Sequence, residues 1–356
     1  MDIRRATAGY ETWLAGRVAL LPADLRAKHR HMAEAVFPFL RATFYRWAQL
    51  WPAVCPRAAA APRVLAVGDL HIENFGTWRD SEGRLAWGVN DFDEVHPLAY
   101  TNDLVRLAVS ALLAIDEQAL SLGARDACDA ILEGYTQGIT GNGCPFVLSD
   151  LHPALHTMAV HRLRDPIPFW NSLDSLPTLG RGVPARVRTL LRRALPEKDL
   201  SWRIAHRVAG LGSLGRQRFV AIADWRGGKI AREAKALAAS ACLWPAGRGG
   251  RILYADILQR AVRVPDPFLQ IRGRWVVRRL APDCSRIELA SLPRQRDEIK
   301  LLYAMGFETA NIHHGSARAV AAVRRDVKRR GAKWLRKSAK AMAEATLADW
   351  RDWRKR

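Results

Sequence analysis

The chain is poor in the features that mark secreted, membrane-spanning or cysteine-metal proteins. Its five cysteines, Cys55, Cys128, Cys144, Cys242 and Cys284, are odd in number, far apart and form no C-x-x-C pair. That spacing argues against a disulfide framework and against a cysteine zinc site. No run of about 18 apolar residues offers a bilayer span. The charged start, Met1 to Arg5, is not followed by the roughly 7–15-residue apolar core of a signal peptide. The expectation is a soluble protein of the reducing cytoplasm. Acidic residues are scarce too: 35 Asp and Glu stand against 56 Lys and Arg, a net charge of +21. That balance favours anionic partners, such as nucleotides, nucleic acid, phosphorylated metabolites or an acidic membrane surface, without specifying a fold. A general preference for arginine on the surface would give the same balance. With 49% hydrophobic and 26% charged residues the composition is that of a globular protein, and 356 residues leave room for two lobes.

The few acids are not evenly spread. Gly68-Asp69-Leu70-His71-Ile72-Glu73-Asn74-Phe75-Gly76 follows the apolar run Val64 to Val67, and Asn90-Asp91-Phe92-Asp93-Glu94 follows Leu85 to Val89. Between them stand Thr77-Trp78 and the turn-like Asp80-Ser81-Glu82-Gly83. Apolar runs broken by Asp, Ser and Gly predict strand, loop, short strand, hairpin turn and strand. Each acidic cluster therefore ends a strand, and the hairpin sets the two side by side. One such cluster would be ordinary loop chemistry, because Asp and Asn bond their own backbone in turns. Two joined by a hairpin bring Asp69, Asn74, Asp91 and Asp93 together, a set of hard oxygen donors suited to Mg²⁺ bridging to phosphates.

Elsewhere, helices are predicted over 10–21, 24–50 (with a break or kink at Pro38), 124–139, 251–262 and 296–313, and after Pro97 with Thr101 or Asn102 as cap. Ile299, Leu302, Tyr303 and Phe307 form the apolar side expected of the 296–313 helix. The aromatics Phe37, Phe39, Phe44, Tyr45, Trp47 and Trp51 are read as core. Asp103 falls in the first turn of its helix, where it either complements the helix dipole or accepts N–H bonds from the acidic loop. His152, His156 and His161 have no interleaved acid and are not read as metal ligands. The basic tail from about 317 carries an apolar stripe, Val320, Val323, Val327, Trp334 and Leu335. It contains no specific nucleic-acid or membrane motif.

A second motif, Gly210-Leu211-Gly212-Ser213-Leu214-Gly215, lies between apolar runs and is followed by the strand-like Phe219 to Ala223. A dinucleotide fingerprint would open a helix at this point. Strand, glycine turn, strand is instead the arrangement that lies over phosphates in kinases, and Lys235 on the next strand is placed to reach them. Glu233 and Asp256 are the candidate acid partners of Lys235.

Taken in order, Gly68-Asp69-x-His71-x-x-Asn74-Phe75-Gly76, Asn90-Asp91-Phe92-Asp93-Glu94 and Asp103-Leu104-x-Arg106-Leu107-x-x-Ser110 resemble the bacterial family called domain of unknown function 2252. Phe39-Leu40-Arg41, the glycine motif, Asp266-Pro267-Phe268-Leu269 and Arg278-Arg279-Leu280 agree, so the similarity spans roughly residues 28–315. The same residues are similar to the aminoglycoside phosphotransferase type of kinase-like fold. That resemblance implies Asp69 as catalytic base, Asn74 and Asp91 as Mg²⁺ ligands, His71 orienting the loop and Asp103 anchoring it. It also implies Gly210, Gly212, Ser213, Gly215 and Lys235 as the ATP phosphate site, with Asp93 for a second Mg²⁺. Val67 stands where such proteins usually have His.

The acids precede the glycine loop, so the implied fold is α+β, two-lobed and circularly permuted. Its parts are a catalytic region over 1–200, a nucleotide region over 201–290 and C-terminal helices over 291–356. Phosphoryl transfer from ATP to an unidentified acceptor, with anionic acceptors among the candidates, is the leading function. A nucleotide-binding pseudokinase, an AMP transferase and a basic nucleic-acid-binding protein are its rivals.

Overall fold

The computed structural model describes residues 1–148, 152–162, 166–284 and 295–355. Apolar spacing in the first fifty residues resolves into four helices: α1 (Ile3–Ala15), α2 (Pro22–Glu34), α3 (Val36–Ala42) and α4 (Phe44–Val54). The predicted 24–50 helix is broken at Ala35, whose backbone is extended, and at Thr43, and is not kinked at Pro38. Pro38 is the third residue of α3, where a helix leaves its N–H without an intrahelical partner anyway. The six aromatics read as core are buried.

The short α5 (Pro56–Ala59) leads to β1 (Arg63–Ala66), then β2 (Phe75–Arg79) and β3 (Leu85–Val89) form the predicted hairpin. Asp80 Oδ1 closes its turn by accepting the backbone N–H of Glu82 and Arg84 at 3.0 and 2.9 Å. β4 (His96–Ala99) returns antiparallel to β1 and runs directly into α6 (Tyr100–Asp116). Neither Thr101 nor Asn102 caps this helix. Thr101 donates to the Ala58 carbonyl at 2.6 Å, and Asn102 accepts from Trp47 Nε1 at 2.9 Å, so both side chains are engaged in packing. Tyr100 to Ala114 are all buried, making α6 the axis of the largest core. Around it lie α7 (Ala124–Thr140) and the helices Gln295–His314, Ala317–Arg329 and Trp334–Arg354. On the first of these Leu302 is buried and Tyr303 and Phe307 partly so, as expected, but Ile299 is exposed and Leu301 and Met305 are buried in its place. The helix crosses α7 where Gly134 meets the Tyr303 carbonyl and Gly306 meets the Ile131 carbonyl, and that crossing fixes its inner face. In the basic tail, Val320, Val323, Val327 and Leu335 are buried.

After β5 (Phe146–Val147), which joins the hairpin as a third strand, the chain builds a separate five-stranded antiparallel sheet. Its strands are β6 (Arg203–His206), β7 (Arg218–Trp225), β8 (Gly228–Ala236), β9 (Gln270–Ile271) and β10 (Trp275–Leu280), in the order β6-β7-β8-β10-β9. Alternation along β7 splits its burial: Phe219 and Ala221 pack with Val187 and Leu191 of the helix Ala185–Ala194. Val220 and Ile222 pack instead with Leu173 of the helix Ile167–Asp174. Register across β7, β8 and β10 puts Arg218 opposite Lys235 and both Val220 and Arg278 opposite Glu233. The glycine motif is the connection between β6 and β7. Among the described residues no helix is long and apolar enough to cross a membrane. The expected boundary at 290–291 lies outside the described residues, as does the side chain of His161.

Candidate active site

The first acidic loop leaves β1 through Gly68, whose φ is +84°. A Cβ at this position would stand 2.4 Å from the Glu94 carbonyl oxygen, so only glycine allows the two acidic segments to touch. The loop is held from below by Asp103, fully buried on α6. Its carboxylate accepts the backbone N–H of Val67 at 2.7 Å and of Gly68 at 3.0 Å. Asn102 Nδ2 donates to the same carboxylate at 3.0 Å, and His313 Nε2 lies 3.1 Å away. A short turn, Ile72–Asn74, follows: the His71 N–H donates to Asn74 Oδ1 at 3.1 Å and the Glu73 N–H to His71 Nδ1 at 3.2 Å. His71 thus fixes the turn that presents Asn74.

Asp69 is gripped through Oδ1 by Arg106, one turn along α6 from Asp103, with Nε at 2.7 Å. Arg106 also donates to the Leu40 carbonyl at 2.8 Å and stacks between Phe44 and Trp47. Burial raises the Asp69 pKa, against the pull of this guanidinium. The hairpin then joins the second acidic segment to the first, the Asn90 N–H donating to the Asn74 carbonyl at 2.9 Å.

Lys235 reaches across from β8, with Nζ 3.2 Å from Asp91 Oδ1 and 2.6 Å from Asp93 Oδ1. Its acid partners are therefore Asp91 and Asp93, neither of the residues suggested by the sequence. Glu233 shares a sheet face with Lys235 but is taken by Arg207, Arg218 and Arg278 at 2.6, 3.1 and 2.8 Å. Asp256 pairs with Arg251 and Arg260. Burial alone would raise Asp91, yet Lys235, Arg278 and Arg218 hold it well below the usual carboxylate range. Asp93 is raised, by burial and by the charge of Asp91. Arg216, at the end of the glycine loop, lies 3.5 Å from Asp93 and donates to Glu94 at 3.2 Å.

The glycine loop closes over this cluster. A Cβ on Gly212 would lie 3.4 Å from Asp69 Oδ2. Ser213 Oγ accepts from Arg218 Nη2 at 2.7 Å and donates to the Gly210 carbonyl at 3.2 Å. The Gly215 carbonyl accepts the Leu21 N–H at 2.8 Å, tying the loop to the start of α2. Asp69, His71, Asn74, Asp91, Asp93, Gly210, Gly212 and Ser213 thus line one cavity, with Lys235 joined to its Asp91 and Asp93 and Asp103 beneath the first loop.

Two cavities meet there. One is tight and lined by Asp69, His71, Asn74, Asp91, Asp93, Gly212 and Ser213, with Lys28, Arg41 and Arg216. The other, about 300 Å³, lies between the hairpin and the five-stranded sheet, where Thr77, Trp78, Leu269 and Leu280 accompany Arg207, Arg218, Arg263, Arg278 and Arg279. Asp91 and Gly210 line both. Among the described residues no three His, Cys, Asp or Glu side chains form a ready-made metal cluster. Asn74, Asp91 and Asp93 are nevertheless oxygen donors on one wall, a set that fits a hard cation completing its shell with water and ligand oxygens.

Lys28 and Arg216 escape the sequence reading, and Arg41 and Arg106 enter it only as motif residues without a role. Lys28 sits in a helix that looks surface-like, and Arg41 and Arg216 resemble the many exposed arginines of a basic chain. Arg106 did leave a signal, an arginine within an otherwise apolar helix face.

Residues 20–143 match the model of a family described as an uncharacterized protein conserved in bacteria, DUF2252. That segment holds both acidic clusters, Lys28, Arg41 and Asp103, and stops short of the glycine loop and Lys235. No curated protein and no solved structure matches the chain.

Proposed function

We propose that the DUF2252 segment and the strands following it form an ATP- and Mg²⁺-dependent phosphotransferase of permuted, two-lobed kinase-like design. Residues 1–200 would be its catalytic region, 201–290 its nucleotide region and 291–356 helices packed on the former. The observation that carries this reading is the meeting of two cavities at Asp91 and Gly210. A donor nucleotide in the arginine-lined cavity and an acceptor in the tight one would face each other across those residues. Five guanidiniums suit a polyphosphate, and Trp78 and Leu280 give a base or ribose apolar walls.

In this reading Asp69, oriented by Arg106, takes the proton of the acceptor hydroxyl, while Asp103 and His71 hold the loop that carries it. Gly210, Gly212, Ser213 and Gly215 cover the phosphates. Lys235 leaves the carboxylates to pair with phosphate oxygens as nucleotide binds. Asn74, Asp91 and Asp93 would hold Mg²⁺, which neutralises phosphate charge when bound. Positioning and charge neutralisation are sufficient for phosphoryl transfer, since little covalent chemistry falls to the protein.

The test is label transfer from ATP, carrying the label in either the γ- or the α-phosphate, to a panel of hydroxylated acceptors and to the protein itself. Transfer of γ-label supports the reading. Transfer of α-label makes the protein an AMP transferase, binding without transfer a pseudokinase, and absence of ATP binding rejects all three.

A further inference from the structure

The tight cavity contains a buried cation with no acid within ion-pair distance among the described residues. Lys28, on α2, is 4% exposed and lines the cavity beside Asp69. Among the described residues it makes no ion pair. Its Nζ lies 3.4 Å from the Gly212 carbonyl, beyond a good hydrogen bond, and 5.8 Å from the Tyr45 ring. A buried ammonium without a counter-charge is costly unless a ligand supplies one. Burial, with the like charge of Arg216, pulls it down to about 8, outweighing the more distant Glu11, Glu94 and Asp69. Beside it Arg41 keeps one guanidinium edge on Glu73 at 2.6 Å, while its Nε is buried without a hydrogen-bond partner. Gly212 sets the scale: its carbonyl lies 3.4 Å from the Lys28 ammonium, and a Cβ built on it would lie 3.4 Å from Asp69 Oδ2.

We propose that Lys28 and Arg41 form an oxyanion subsite, so that the acceptor is a compact molecule carrying a hydroxyl and, a few bonds away, a carboxylate or phosphate. This rests on Asp69 being the base. An amino alcohol would add a cation to Lys28, Arg41 and Arg216, and a neutral polyol would leave Lys28 unneutralised. In the transfer the acceptor oxygen bonds to the γ-phosphorus and the bond from that phosphorus to the ADP oxygen breaks. ADP leaves with the electron pair, and the hydroxyl proton passes to Asp69.

Calorimetric binding of glycerate, glycerol phosphate, glycerol and ethanolamine to the wild type, Lys28→Met and Lys28→Arg decides the matter. The two anions share a HOCH2–CHOH unit and end in a carboxylate or in a longer, doubly charged phosphomethyl group, so comparing them shows which anionic end the subsite takes. At least one anion should bind the wild type, and glycerol and ethanolamine should not. Lys28→Met should weaken the anion about tenfold or more, the scale of a lost hydrogen bond to a charged group, and Lys28→Arg should restore most of it. Anion binding unchanged in Lys28→Met, no anion binding to the wild type, or preference for glycerol or ethanolamine would each overturn the subsite. Mg–ATP binding measured alongside separates the two claims. Anions without Mg–ATP would leave the subsite and reject the phosphotransferase, and Mg–ATP without anions would do the reverse.

Discussion

Gly212 lies against Asp69: a methyl group on the glycine would come within 3.4 Å of Asp69 Oδ2, and within 3.1 Å of the Arg41 carbonyl. One contact thus joins the glycine loop to the acidic loop. It also separates function from stability. Gly212→Ala should crowd Asp69 and lower transfer about tenfold or more, each tenfold being ~1.4 kcal/mol of barrier, with a smaller loss of stability than Gly68→Ala. The Gly212 backbone is not left-handed, so a side chain there meets no conformational strain. Gly68→Ala should act oppositely, costing about 2 kcal/mol in urea unfolding because a positive φ and a carbonyl 2.4 Å away both forbid the methyl.

Arg106 is fully buried, with Asp69 as its counter-ion. Arg106→Met should destabilise by about 3 kcal/mol, because it leaves a carboxylate and the Leu40 carbonyl without their donor. Adding Asp69→Asn should recover part of that loss. A coupling of about 1 kcal/mol or more in the double-mutant cycle is the expected signature.

Glu233 pairs with Arg207, Arg218 and Arg278, three residues on the wall of the larger cavity. Burial would raise its pKa, but the three guanidiniums outweigh burial and hold it well below the ordinary range. A depressed carboxylate contributes stability above its unfolded pKa, about 4.3, and loses it as pH falls through the folded value. Glu233→Gln should therefore cost about 3 kcal/mol at neutral pH and flatten the loss of stability below about pH 4. Unfolding midpoints across that range give the answer.

Glu308 has the opposite sign. Burial pushes it up to about 7, opposed by Asn311, Arg263 and the Val89 N–H. The folded state then holds a proton that the unfolded state has released, so stability is full below about pH 4.5 and falls as pH rises to about 7. Between pH 5 and pH 8 the loss of stability should be smaller in Glu308→Gln than in the wild type by about 2 to 3 kcal/mol. The remaining loss includes that of Glu94, which burial also pushes up to about 7.

Much of the site was legible because its parts are local. The hairpin places Asn74 and Asp91 side by side through period-two strands and an Asp-Ser-Glu-Gly turn, and the glycine loop announces itself between apolar runs. The partners of Lys235 were not legible, because parity along β8 puts Glu233 on the same face without telling that three arginines from β7, β10 and the β6 end would claim it. Lys28 was hidden for a related reason. Its helix carries charge on most sides, and only the docking of the glycine loop buries it. Burial of Leu301 in place of Ile299 follows from where Gly134 and Gly306 let two helices touch, a tertiary choice that residue spacing does not encode.

The central claim is that the two acidic segments and the glycine loop act together on a magnesium nucleotide. Calorimetric titration of ATP into the wild type and Asp91→Asn, each with and without Mg²⁺, tests it most directly. Mg²⁺-dependent binding by the wild type, and a loss of that dependence in a folded Asp91→Asn, are expected. Absence of ATP binding, or equal binding by both proteins irrespective of Mg²⁺, would contradict it.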